Sequence, residues 1–418
     1  MPDVIVIGGG PAGSTAATLL ARKGFSVTLL ERERFPRFQI GESLLPYNND
    51  LFQRLGVDGQ LAKGDFHPKY GAEFLTGDGK IGYAFRFDRN LAERYHQSYQ
   101  VKRSEFDQLL LRNAVSSGVE VREATPVVSV DLDDPGRAVV IIAGGERIEG
   151  RFVVDASGHG SVIGSRVGGK EPIEALKKVA VFAHYSGVPR GEGRNAGNTI
   201  IVVIRNAWFW LIPITNELMS VGVVVDRDHL KSCGLTPEEL LERTIAITPW
   251  VAERMKDAQR TTQIYTRKDF SFEMRRLVGP NFALVGDAAG FMDPIFSTGV
   301  FMAMQSADIA AEAIEERLTS ARMRRLHRYE RRMTEALKKY FRFIANFYRP
   351  EFLEVFLQPT DRFGLIPAIV GVLAGNVFAQ RANRFKLGLF FWLVRLQKQR
   401  GIIAPRIAWE SLPGAATL

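Results

Sequence analysis

The chain has one cysteine, Cys233, in 418 residues. No disulfide can close within it and no site built from paired thiolates can exist, so a reducing cytoplasm is the simplest expected location. The six histidines, His67, His96, His159, His184, His229 and His327, show no HxxH or HExxH spacing, and no metal is expected. No basic, apolar leader is expected, because an apolar strand pattern begins at Val4. No apolar run reaches the ~20 residues of a spanning helix. The nearest, Phe363–Gln380, is uncharged but broken by Gly364, Pro367, Gly371, Gly375 and Asn376.

The rest of the composition suits a globular enzyme: 46% hydrophobic and 24% charged residues can build two or three domains with real cores. The net charge of +9 is uneven. Residues 1–321 carry 37 basic and 40 acidic residues, net −3, whereas 322–418 carry 18 and 6, net +12. Stretches such as RMRRLHRYERR (322–332) therefore suggest a surface for an acidic partner or peripheral contact with an anionic membrane. No nucleic-acid motif accompanies the charge, so nucleic acid is not an expected partner.

Chemistry enters at DVIVIGGGPAGSTAATLLARKGFSVTLLER (3–32). A β-branched strand leads into Gly8, Gly10, Ala12 and Gly13, then a helix, then a strand predicted over Ser26–Leu30 that ends at Glu31–Arg32. Gly8 permits the tight turn, Gly10 lets backbone approach a pyrophosphate, and Gly13 lets helix and strand pack closely. The helix N-terminus favours the phosphates, and Glu31 stands where a carboxylate would accept ribose hydroxyls. Dinucleotide binding follows.

Later motifs resemble those of FAD enzymes of the aromatic hydroxylase type. A strand predicted over Phe282–Val285 runs into Gly286–Asp287, VVDASGHGS (153–161) turns after Asp155, and in VKRSEFDQLLL (101–111) Arg103 matches a flavin-contacting arginine. Asp287 also suits the N-cap of a helix starting at Ala288. The resemblance implies an α/β fold: a Rossmann-like FAD-binding domain of hydroxylase type (1–66, 101–176 and 270–320), a second antiparallel-sheet substrate domain (67–100 and 177–269), and a helical C-terminal region (321–418). Within it, 119–150 reads as an antiparallel excursion with turns at DDPG (133–136) and AGG (143–145).

Two of the five tryptophans fall in WFWLIP (208–213). Alternate strand residues share a face, so Trp208 and Trp210 would present two indoles together. The segment is similar to the WxWxIP signature of flavin-dependent halogenases, with Ala207 where a glycine is usual. Three other stretches support that resemblance. RFQIGESLLP (37–46) is similar to the loop over the flavin, with Gly41, Glu42 and Ser43; DPIFSTG (293–299) is similar to the halide-binding loop, with Ser297, Thr298 and Gly299; HPKYGAEF (67–74) places Lys69 where the family's oxidant-carrying lysine lies. The resemblance implies catalytic roles for Lys69, Trp208 and Trp210. FADH2 would come from a separate flavin reductase, chloride or bromide would be oxidised to hypohalous acid, and the tryptophans would keep the organic substrate off the flavin.

Tryptophan halogenases carry a glutamate where this chain has Phe296, so free tryptophan is disfavoured as substrate. A phenolic or pyrrolic compound is expected, free or tethered to an acidic carrier protein. The alternative within FAD enzymes is a reductase similar to geranylgeranyl reductases, or an aromatic monooxygenase, acting on a large apolar substrate. Either would leave Lys69 without a role.

Overall fold

The computed structural model describes residues 1–408 except 65, 90–91, 168, 269 and 379–380, and leaves out the side chains of 362 and 381–384. The end of the uncharged run at Gln380 and the last ten residues of the expected C-terminal region lie outside the described residues.

A five-stranded parallel sheet runs in the order Phe282–Leu284, Phe152–Asp155, Val4–Ile7, Val27–Leu30, Glu120–Arg122. All four residues of Val4–Ile7 are buried, as expected of a strand covered on both faces. Helix Pro11–Arg22 starts with proline in its first turn, where a missing N–H costs nothing. It packs its small residues against the long helix Thr298–Ser320, whose Ala303, Ala307, Ala310 and Ala311 allow close approach. Glu120–Arg122 corrects one expectation: the start of 119–150 joins the parallel sheet by pairing with Thr28–Leu30. Only Val127–Asp131, Ala138–Ile142 and Arg147–Gly150 form the antiparallel excursion.

The second sheet has eight strands, among them Lys178–Ser186, Thr199–Ile204, Ala207–Pro213 and Leu218–Asp226. It is not wholly antiparallel. Thr199–Ile204 pairs in parallel with Gly71–Thr76, two segments too distant in sequence for a hairpin to dictate their relative direction. The TGDG turn at 76–79 does close a hairpin, between Gly71–Thr76 and Gly82–Arg86. Lys69 belongs to neither sheet but to a two-stranded ladder, His67–Lys69 against Ser98–Gln100, to which Ser43 is bridged through Gln100.

Helices Arg324–Phe347, Pro350–Leu357, Leu365–Leu373 and Arg381–Arg400 follow the two sheets. Their inner faces carry an aromatic cluster, with Phe343, Phe347, Phe352, Phe356, Phe390 and Phe391 all buried. Among the described residues, no helix is long and apolar enough to cross a membrane.

Candidate active site

The glycine-rich loop is shaped by crowding. At Gly8, φ is +101° and a Cβ would lie 2.5 Å from the Ala156 carbonyl oxygen; at Gly13 a Cβ would lie 1.8 Å from the Gly8 oxygen. Gly13 thus serves packing and does not line the cavity, while Gly8, Gly10 and Ala12 do. Gly286, at φ +61°, packs a Cβ position 2.9 Å from the Ala12 Cβ, which explains why both positions need small residues. Glu31 is buried, and its carboxylate accepts from the Gly9 N–H at 2.6 Å and the Glu33 N–H at 2.9 Å. It braces the loop and still faces the cavity, as does the exposed Arg32.

The cavity has a volume of about 590 Å³ and runs from this loop past Arg103, Asp287 and Gly41–Ser43 to Trp208 and Trp210. Asp287 lies inside a 3-10 turn, Gly286–Ala289, capped by Val285. It is therefore not the expected N-cap, and its carboxylate sits 3.3 Å from His159 Nδ1. The strand before it ends at Leu284 and the second strand of the sheet starts at Val27, each one residue short of expectation.

Arg103 opens its helix and is buried. It donates from Nε and Nη2 to the two oxygens of Asp107, each at 2.8 Å, and from Nη1 to the Ile40 carbonyl. Asp107 also receives Arg37, whose Nη1 is 3.2 Å away. Neither Arg37 nor Asp107 was expected from sequence. The readable signal was the Arg103–Asp107 spacing, which puts opposite charges one helical turn apart.

Lys69 is 1% exposed. Its ammonium donates to Ser43 Oγ at 2.8 Å and to the Leu44 carbonyl at 3.2 Å, with the Phe87 ring 5.4 Å away. Among the described residues, no carboxylate pairs with it. Burial alone pulls its pKa down to about 7. Ser43 in turn meets Thr199 Oγ1 at 2.9 Å, which also accepts from Gln100 Nε2. Ser43 and Thr199 line the cavity, so Lys69 stands one hydrogen bond behind its wall. Next to it, Glu42 Oε1 lies 2.7 Å from His184 Nε2, while Glu42 Oε2 is buried without a protein partner. His184 carried no signal in the sequence beyond its place in a strand.

The tryptophans do share a face: their ring centroids are 6.0 Å apart and both line the cavity. Trp210 Nε1 donates to Ser220 Oγ at 3.1 Å. Trp208 Nε1 donates to Tyr348 Oη at 3.0 Å, and Tyr348 donates to Asp293 Oδ2 at 2.8 Å. Burial pushes the Asp293 carboxyl up to about 6, against the lowering effect of the Tyr348 hydroxyl. A residue from the C-terminal helices thereby ties the tryptophan strand to the 293–299 loop. Ser297 adopts a left-handed φ of +56° and spends its N–H on the Pro294 carbonyl. Thr298 and Gly299 form the first turn of the helix they begin, where backbone N–H groups lack a partner within the helix. Ser297 and Gly299 line the cavity and Thr298 does not. Phe296 is buried among Phe74, Phe343, Phe347 and Phe356.

Residues 3–93 and 85–351 match the family model described as tryptophan halogenase. The chain belongs to the flavin-dependent halogenase family. It is an FAD-dependent enzyme of the oxidoreductase type, and the glycine floor, the arginines Arg37, Arg103 and Arg267 and the unpartnered Glu42 oxygen fit that cofactor. A 1H-pyrrole-2-carbonyl-(peptidyl-carrier protein) chlorinase from Pseudomonas fluorescens is 30% identical over 99% of this chain and 96% of its own length. Tryptophan 2-halogenase from Chondromyces crocatus is 36% identical over 75% of this chain and 60% of its own. Among solved structures, a flavoprotein/dehydrogenase from Cytophaga hutchinsonii superposes with a TM-score of 0.87 at 30% identity, covering 95% of this halogenase and 99% of that chain. The halogenase family match favours the first functional expectation over the reductase and monooxygenase alternatives.

Proposed function

We propose that this halogenase acts on a pyrrolic or phenolic ring presented on an acidic carrier protein, with Lys69 carrying the oxidised halogen. The observation that supports it most is the buried, unpaired Lys69 with its pKa near 7, held behind Ser43 on the cavity wall. FAD, reduced by a separate flavin reductase, would supply the electrons that activate O2 toward chloride or bromide; Gly8, Gly10, Ala12, Glu31, Arg32, Arg37, Gly41–Ser43, Arg103 and Asp287 would hold it.

Halide would rest on the Thr298 and Gly299 N–H groups, favoured by the positive end of the Thr298–Ser320 helix. Ser297 contributes the left-handed turn that turns those N–H groups outward from the helix end. Trp208 and Trp210 wall off the organic substrate. Near pH 7 a large fraction of Lys69 is the free amine, which can hydrogen-bond hypohalous acid or exchange one N–H for N–halogen with loss of water. Phe296 offers no carboxylate to take the ring proton, so a ring that supplies its own electron density is the suitable acceptor. The carrier reading draws on the Pseudomonas fluorescens relative, whose substrate is a carrier-bound pyrrole.

The test is turnover with FAD, NADH, a generic flavin reductase and bromide on free phenols and on pyrrolyl carrier protein, read by mass spectrometry. Brominated product that disappears in Lys69→Ala while flavin oxidation continues is expected. Reduction or hydroxylation without halogenation would sink the proposal.

A further inference from the structure

A second hollow, of about 160 Å³, lies in the C-terminal helices outside the FAD cavity. Helix Arg324–Phe347 contributes Arg342, the following turn contributes Arg349, and helix Arg381–Arg400 contributes Arg395 and Lys398. One carboxylate, Glu351, faces these four cations, and its distance of 3.9 Å from Lys398 Nζ makes a loose pair. Among the described residues, Arg342, Arg349 and Arg395 have no carboxylate within ion-pair distance. Arg342 lies flat on Phe391, 3.9 Å from the ring centroid, which fixes its guanidinium at the wall of the hollow. Burial, and then the neighbouring Arg395, lower its pKa. Like charges gathered in a concave site repel one another, and an anion placed among them removes that cost.

The hollow is also close to the chemistry. Phe391 lines it and meets Phe343 edge-on at 5.0 Å, and Phe343 lies 6.2 Å from Phe296, the residue before Ser297. The Phe391 and Phe296 rings are therefore at most about 11 Å apart. A flexible arm as long as five extended residues reaches roughly 17 Å. The hollow and the 293–299 loop are thus separated by one buried layer of rings, a span shorter than such an arm.

We infer that the hollow of Arg342, Arg349, Arg395 and Lys398 binds the phosphate of a carrier protein's phosphopantetheine arm. The inference rests on the carrier-bound substrate proposed above and locates its docking site. A concave pocket of about 160 Å³, roomy enough for a phosphate group and the start of its ester chain, favours a phosphate ester over a flat lipid surface. Trp392, half exposed beside Phe391 and one turn from Arg395, adds an apolar contact for the carrier's own surface.

The experiment measures binding to the FAD-loaded full chain by calorimetry, using 4′-phosphopantetheine, pantetheine, and vesicles of phosphatidylcholine with phosphatidylglycerol. Phosphopantetheine should bind at least 10-fold more tightly than pantetheine. The pair Arg342→Gln and Arg395→Gln should abolish that difference, while bromination of a free phenol stays at the wild-type rate. Glu351→Gln, which removes the one opposing charge, should tighten phosphopantetheine binding about 3-fold, and it serves as the test if the double variant does not fold. Equal binding of the two pantetheines, no change in the variants, or vesicle binding that the double variant abolishes would overturn the inference. Bromination of the free phenol reports separately on whether the enzyme is a halogenase, so the two ideas can fail independently.

Discussion

Among the described residues two lysines are buried, and their surroundings differ in one respect. Lys178 is 2.5 Å from the Asp226 carboxylate and lies over the Tyr348 ring at 3.9 Å. Lys69 has a hydroxyl and a carbonyl as acceptors and no charge. Water is removed from both, but only Lys178 receives a counter-ion in return. The lesson is that burial alone does not make a reactive amine: burial without a carboxylate does. In Lys69 the neutral form becomes available at ordinary pH, while Lys178 is held between the Asp226 carboxylate and the Tyr348 ring.

The comparison breaks most visibly if Lys69 is removed. Lys69→Ala should lower halogenation by about 10³-fold or more, an effect of roughly 4 kcal/mol on the barrier, with flavin oxidation retained. Lys69→Arg should not restore it, because guanidinium stays protonated. Activity of the wild type should rise with pH through about 7 as the amine loses its proton; a flat profile from pH 6 to 8 would show that its protonation state is not limiting.

Stability should also rise with pH, but over a higher range. The folded pKa of Lys69 lies below its unfolded value of 10.5, so the unfolded chain binds the extra proton between about 7 and 10.5. The penalty is full below pH 7 and fades as pH rises toward 10.5. Lys69→Met should therefore stabilise the protein at pH 6 by on the order of 2–4 kcal/mol, with the gain shrinking by pH 10. Denaturant melts at the two pH values check this, and destabilisation at both would mean that the hydrogen bonds to Ser43 and Leu44 outweigh burial.

Tyr348→Phe sharpens the contrast from the other side. It strands the Trp208 N–H and the Asp293 carboxylate, at a cost of about 1–3 kcal/mol. Halogenation should fall about 10-fold with a raised KM for halide, because the Trp208 strand and the 293–299 loop proposed to hold halide lose their common tie. An unchanged halide KM would limit Tyr348 to a structural role. Lys178→Met should have the smallest effect, about 1 kcal/mol or less of stability, since Asp226 is half exposed and solvent screens the pair.

Much of the nucleotide-binding half was legible because its constraints are local. Gly13, whose Cβ would collide with the Gly8 oxygen five residues back, shows in the sequence as glycine at fixed spacing. Trp208 and Trp210 share a face because alternation is a property of any strand. The site behind the wall was less legible. Arg37, Asp107, His184, Tyr348 and Asp293 take part through partners 4 to 142 residues away, and only the first-turn spacing of Asp107 leaves a trace in the sequence. The mixed direction of the second sheet was missed for the same reason, since the Thr199–Ile204 and Gly71–Thr76 strands meet without a hairpin between them.

By itself the sequence determined the parallel sheet, the phosphate-binding loop, the paired indoles and the family, because each depends on periodicity or on contacts along a short stretch of chain. Only the tertiary structure decided which buried lysine lacks a counter-ion, how Tyr348 ties the tryptophan strand to the 293–299 loop, and how the basic C-terminal charge is gathered into a hollow. Those properties depend on what distant segments bring, or fail to bring, within about 4 Å of a charge, where an opposite charge or its absence dominates the local energy.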